Sequence, residues 1–317
     1  MKKLFSLLLL CTCLQGAAFS QDEKQSMVMD ETSLEGYTIY HQPNLSAAVL
    51  KTGPQPILVF GNGGCSHSTN GYIPMVSEMV NNGYIVIAVG RVEEARRPAN
   101  PPQGAPQGAP QRPPQGAPQG APQGAPQRPP QGAPQGAPDF ANAGKEDNLI
   151  DAINWVCENN ANPESEYYHC ADIFHIAVSG HSCGGAQALR VSYDPRVTTT
   201  ILFNSGIGDM NMAGTTPKII EELHAPLLYL IGGPDDVAYP NAAKDVERIK
   251  NVPVASANFP VGHGGTYSQP QGGVLGKVAL QWLDWQLKGK KEASKFFTDK
   301  QFRTENYPDC TYESKNM

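Results

Sequence analysis

Three things are scarce in this sequence, and each scarcity excludes something. Basic residues are outnumbered: 24 Lys and Arg stand against 30 Asp and Glu, a formal net charge of -6. No basic stripe can be assembled from them, which excludes nucleic acid or an anionic membrane as the partner. Long apolar runs are missing: the longest, Leu4 to Cys13, is too short to span a bilayer, so no transmembrane segment is expected. Cysteines number 7, and their spacing matches no zinc ribbon or finger. Neither a metal nor any other cofactor is implied.

What is present begins with a leader. Lys2 and Lys3 precede the short apolar run, and Ala18-Phe19-Ser20 offers small residues at -3 and -1 of a cleavage site before Gln21. Residues 1–20 therefore read as a signal peptide and the protein as exported, periplasmic or secreted. A lipid anchor on Cys11 or Cys13 is disfavoured, because neither has two small residues before it. Export permits disulfides. Cys65, Cys157, Cys170, Cys183 and Cys310 remain after the leader, and Cys157 and Cys170 flank a short polar loop that a bridge could close.

Residues 21–33 are polar and read as loose, and a domain is expected over 34–290 with a tail at 291–317. Apolar runs at Pro56 to Phe60, Tyr84 to Val89, Ile173 to Ser179, Thr198 to Phe203, Pro226 to Ile231 and Ala255 to Phe259 read as strands. Helical spacing covers Ile73 to Val80, Glu146 to Glu158, a stretch from Gly184, Asn241 to Lys250 and Val274 to Leu287. Alternation of the two predicts an α/β fold, with a mainly parallel sheet covered by helices on both faces. One segment is foreign to this pattern. Residues 98–138 repeat Gln-Gly-Ala-Pro without an aromatic or β-branched residue, so they cannot offset their ordering entropy and are expected to form a loop insert.

Gly180-His181-Ser182-Cys183-Gly184 is a G-x-S-x-G pattern, a weak signal in a chain with 32 glycines. Its context strengthens it, because a predicted strand runs into it and a predicted helix leaves it. The helix N-terminus behind Ser182 would favour negative charge developing there. A serine hydroxyl needs a base. Among 7 histidines, His263 stands out in Val261-Gly262-His263-Gly264-Gly265, directly after the last predicted strand. His175 reads as a strand residue, His181 as the variable elbow position and His67 as a loop residue. His41, His169 and His224 sit in no motif. The base needs a carboxylate, and the loop Gly232 to Pro240 offers two. Asp236 is preferred and Asp235 stays open. Two N–H donors for a tetrahedral intermediate are expected from Cys183 and from the glycine-rich Gly61-Asn62-Gly63-Gly64-Cys65 loop, at Cys65 or Gly64. Cys65 and Cys183 would then lie side by side, where a disulfide between them is conceivable.

Five segments together resemble the α/β-hydrolase superfamily: Gly61 to Cys65, Gly180 to Gly185, Gly233 to Pro240, Gly262 to Tyr267, and Trp282-Leu283-Asp284-Trp285. The likeness is to its secreted, cap-less branch, which includes cutinase-like polyester hydrolases and chlorophyllase-like and dienelactone-hydrolase-like proteins. The resemblance spans about residues 35–290 without the insert. It implies a Ser182 nucleophile, an Asp236 acid, a His263 base and an oxyanion hole from the Cys65 and Cys183 amides. Two positions depart from it: dienelactone hydrolases proper use a cysteine nucleophile, and polyester hydrolases commonly carry an aromatic residue where Cys65 stands.

The expected activity is hydrolysis of a carboxylic ester by a monomer. The short Gly206 to His224 stretch leaves no room for a helical cap, and Tyr72, Tyr239 and Tyr267 are candidate rim aromatics. Acetyl or feruloyl esters on plant polysaccharide come first as substrates, and polyester or small acyl esters second. A serine peptidase and a non-catalytic carbohydrate- or partner-binding module are the alternatives.

Overall fold

The computed structural model describes residues 27–92 and 149–317. The expected signal peptide and the Gln-Gly-Ala-Pro insert lie outside the described residues. Nine strands form one sheet: β1 (Val28–Asp30), β2 (Tyr37–His41), β3 (Gln55–Gly61), β4 (Ile85–Val89), β5 (Ala171–His181), β6 (Val197–Phe203), β7 (Leu227–Ile231), β8 (Val254–Asn258) and β9 (Thr311–Lys315). Their order is β1-β2-β4-β3-β5-β6-β7-β8-β9. Strands β4, β3, β5, β6, β7 and β8 are parallel to one another, while β2 and β9 pair antiparallel at the two sides. The helices are α1 (Leu45–Thr52), α2 (Ile73–Asn81), α3 (Leu149–Ala161), α4 (Cys183–Val191), α5 (Tyr239–Arg248), α6 (Gly273–Lys288), α7 (Lys295–Thr298) and α8 (Lys300–Asn306). This is the α/β architecture that the alternation predicts.

Every residue of β3 is buried, which is why it reads as an unbroken apolar run rather than an alternating one. The period of two still sorts its side chains. Ile57 and Val59 pack on the face covered by Ile153 of α3, Leu189 of α4 and Val246 of α5. Leu58 and Phe60 pack on the other, against Met79 of α2 and Leu283 of α6. Trp282 of α6 is fully buried and donates its indole N–H to Thr199 Oγ1 of β6 at 2.7 Å, so its one polar atom is satisfied. Gly289, with φ 62°, then ends α6 in a left-handed turn closed by its N–H on Trp285 O. Among the described residues no helix is long and apolar enough to cross a membrane.

The chain departs from the sequence expectation at both ends of the domain. Residues 291–317 are not a tail: α7 and α8 lead into β9, which pairs with β8 in the register Ala257 to Tyr312. Ala255 to Phe259 is therefore not the last strand. The physical cause lies in distant aromatics, since Phe297 stacks on Trp285 and meets Trp282 edge-to-face while Phe296 meets Phe259, Tyr307 and Tyr312. Within the segment expected to be loose, Val28–Asp30 forms β1 against β2. Asp30 anchors the turn that follows, accepting from the Thr32 and Ser33 amides and from the Tyr167 hydroxyl. Cys157 and Cys170 are both free, so the bridge conceived between them does not form.

Candidate active site

Parallel α/β sheets present their loops at the carboxyl ends of the strands. Five such loops converge here, after β3, β5, β6, β7 and β8. Ser182 sits in the turn between β5 and α4, with φ 52° and ψ -117°. A non-glycine residue at positive φ is strained by about 1–2 kcal/mol, and the surroundings must hold it there. They do so by close packing. A Cβ at Gly180 would meet Gly184 O at 2.2 Å, and one at Gly184 would meet Gly61 O at 2.1 Å. Both glycines are thus required for β5, β3 and α4 to approach as they do. The Ser182 amide donates to Phe203 O at 2.9 Å, and Ser205 Oγ donates to Ser182 O at 2.7 Å, which fixes the turn to β6.

Ser182 Oγ lies 3.0 Å from His263 Nε2, and His263 Nδ1 lies 2.6 Å from Asp236 Oδ1. A carboxylate only accepts, so Nδ1 carries the proton and leaves Nε2 as acceptor for the serine hydroxyl. The imidazole is about one-third exposed, while the Asp236 side chain is fully buried. Burial alone pushes the Asp236 carboxyl up. Hydrogen bonds from His263, the Ala238 and Gly232 amides and Asn204 outweigh it and hold the group down at about 2. Asp235, the alternative carboxylate, is exposed and makes none of these contacts.

The loop after β3 meets the same turn from the other side. Gly64 and Cys65 both have positive φ, 65° and 48°, and a disulfide joins Cys65 to Cys183 with their Cα atoms 5.2 Å apart. Cys183 is the first residue of α4, where first-turn amides have no acceptor within the helix. Asn62, also buried, pins the loop from behind by donating to Ser66 O and Val89 O.

Asn204 carries no distinctive site signal in the sequence, and Tyr72 and Tyr267 read there only as rim aromatics. Asn204, at φ 45°, donates from Nδ2 to Asp236 Oδ2 at 2.7 Å and to Gly262 O at 3.0 Å. It thereby holds the carboxylate and the histidine loop together. Tyr267 is buried and donates its hydroxyl to Asn204 Oδ1, and Tyr72 hydrogen-bonds the Gly63 amide. Two of the three candidate rim tyrosines are therefore internal supports, and only Tyr239 is exposed. The one advance signal for Asn204 is its place in Asn204-Ser205-Gly206 at the end of a strand, which also describes an ordinary turn.

No protein-family model matches the chain, and no curated protein matches its sequence.

Proposed function

We propose that the chain is an exported serine hydrolase that cleaves a carboxylic ester. The observation that carries this reading is the continuous Ser182–His263–Asp236 hydrogen-bonded chain, with its proton directions fixed by a buried carboxylate. His263 Nε2 takes the hydroxyl proton as Ser182 Oγ attacks the acyl carbon, and Asp236 stabilises the imidazolium that forms. The Cys65 and Cys183 amides receive the negative charge on the carbonyl oxygen. Collapse of the tetrahedral intermediate expels the alcohol, which takes the proton from His263 and leaves an acyl-Ser182 ester. Water, deprotonated by His263, then releases the acid and restores the serine.

The chain order Ser, Asp, His and the strand-to-helix turn around Ser182 support membership of the α/β-hydrolase superfamily. Between β6 and β7 the described chain contains one short 3-10 turn, Pro217–Glu221, which supports a cap-less site. Met210 and Val237 are exposed on the loops after β6 and β7, apolar surface that suits an ester presented on a polymer. Acetyl or feruloyl groups on polysaccharide are the preferred substrates. The Cys65–Cys183 bridge supports an oxidising compartment.

A fluorophosphonate probe tests the reading directly. The wild-type protein is expected to gain one covalent adduct by mass spectrometry, and Ser182→Ala to gain none. A folded wild type that stays unlabelled removes the hydrolase reading in favour of a binding module. Turnover of acyl-nitrophenols without turnover of aminoacyl amides separates the esterase from a peptidase.

A further inference from the structure

His181 lies beside Ser182 in sequence, and nothing in the hydrolytic scheme uses its side chain. Both of its nitrogens are nonetheless engaged. Nε2 is 2.9 Å from the backbone carbonyl of His263, and Nδ1 is 2.8 Å from the Tyr72 hydroxyl oxygen. A carbonyl only accepts, so Nε2 bears a proton. The Tyr72 oxygen in turn accepts the Gly63 N–H at 2.9 Å, leaving its own proton for His181 Nδ1. Every hydrogen is assigned: Gly63 N–H to Tyr72, Tyr72 O–H to Nδ1, Nε2–H to the His263 carbonyl.

That assignment requires a neutral ring, since an imidazolium would have no lone pair for the tyrosine. The groups around it are Tyr72, Tyr267, His263 and Asp236. Burial, joined by His263, pushes the His181 imidazole down to about 4 and outweighs the His263 carbonyl and Asp236, which pull it up. The packing leaves no slack either. A Cβ at residue 63 would sit 2.3 Å from His181 Nδ1 and 2.8 Å from the Tyr72 oxygen.

We propose that His181 is a positioning residue that ties the loop bearing His263 to the loop bearing the Cys65 oxyanion donor, through Tyr72 and Gly63. The base and that donor are thereby set relative to Ser182 by one hydrogen-bonded chain. The proposal rests on the serine-hydrolase reading above. It accounts for a polar, ring-shaped residue where a strand-to-helix turn by itself would accept many others.

The test is the rate of fluorophosphonate labelling, with kcat and KM on an acyl-nitrophenol ester, for H181F, H181Q, Y72F and the H181F/Y72F double variant. A misplacement on the order of 1 Å costs about 100-fold in rate, so H181F is expected to lose roughly 10- to 100-fold in kcat with KM within about twofold. H181Q keeps a donor for the His263 carbonyl and is expected to recover about half of that loss on a logarithmic scale. Because H181F already breaks the chain, adding Y72F is expected to cost less than about twofold more. If H181F does not fold, Y72F decides alone, with an expected fall in kcat of about fivefold or more at unchanged KM. Wild-type kcat in Y72F and H181F, or losses that multiply in the double variant, overturn the proposal. An unlabelled wild type removes the hydrolase reading and this proposal together, an outcome distinct from a labelled wild type with unaffected variants.

Discussion

Replacing Asp236 with asparagine is expected to lower kcat about 10,000-fold, whereas the same change at Asp235 leaves it within about twofold. The two residues are adjacent in sequence, yet Asp236 is 1% exposed and Asp235 lies on the surface. An amide at 236 can present an N–H to His263 Nδ1. The ring proton then moves to Nε2, the atom that has to accept from Ser182. Geometry survives and the proton inventory fails. The acid side follows from the same carboxyl. Its pKa is depressed to about 2 from an ordinary 3.8, so its stabilising contribution is complete above about pH 4 and is lost as pH falls through about 2. Steady-state kinetics on an acyl-nitrophenol ester and an acid-denaturation curve for wild type and Asp236→Asn check both statements. Equal kcat in the two asparagine variants would sink the assignment.

Breaking the Cys65–Cys183 bridge is the second large effect. The cross-link joins residues separated by 118 positions. Closing a loop of that length stabilises the folded chain by about 4–5 kcal/mol in the chain-entropy account. Cys65→Ser is expected to lower the denaturant midpoint accordingly. It is also expected to reduce kcat about 10- to 100-fold, because the two amides lose the covalent tie between the turns that carry them. Cys183→Ser is expected to behave alike, and the double variant to add little. A kcat that stays at the wild-type level in both single variants, with only stability reduced, would show that the amides are held in place without the bridge.

A feature is legible in the sequence only where its signal is local. Ser182 and His263 each sit just past a predicted strand in a glycine-rich turn, so local apolar runs and glycine spacing single them out, while in the third loop they leave Asp235 open beside Asp236. Strand β9, Thr311–Lys315, has no such run: it is an edge strand with largely exposed side chains, recruited by backbone pairing to β8. Strand β2 is fully buried, but Thr38 and His41 break its apolar run, and β1 is only 3 residues long. The supports of the site are the least legible of all. Tyr72 meets His181 across 109 residues and Tyr267 meets Asn204 across 63, pairings that no local pattern encodes. Cysteine identity alone could not distinguish the Cys65–Cys183 bridge from one between Cys157 and Cys170. The converging loops decide it.

The disulfide has a further consequence for what a protease can accomplish. Residues 66–182 lie between the bridged cysteines, and they include the whole Gln-Gly-Ala-Pro stretch. A peptide bond cut anywhere in that interval yields two polypeptides that remain one molecule, with Ser182 and the Cys65 loop still covalently joined. Such a nicked protein migrates as a single band without reductant and as two with it. Where peptidases are present, a cut there would convert the protein into a two-chain form rather than scatter its parts.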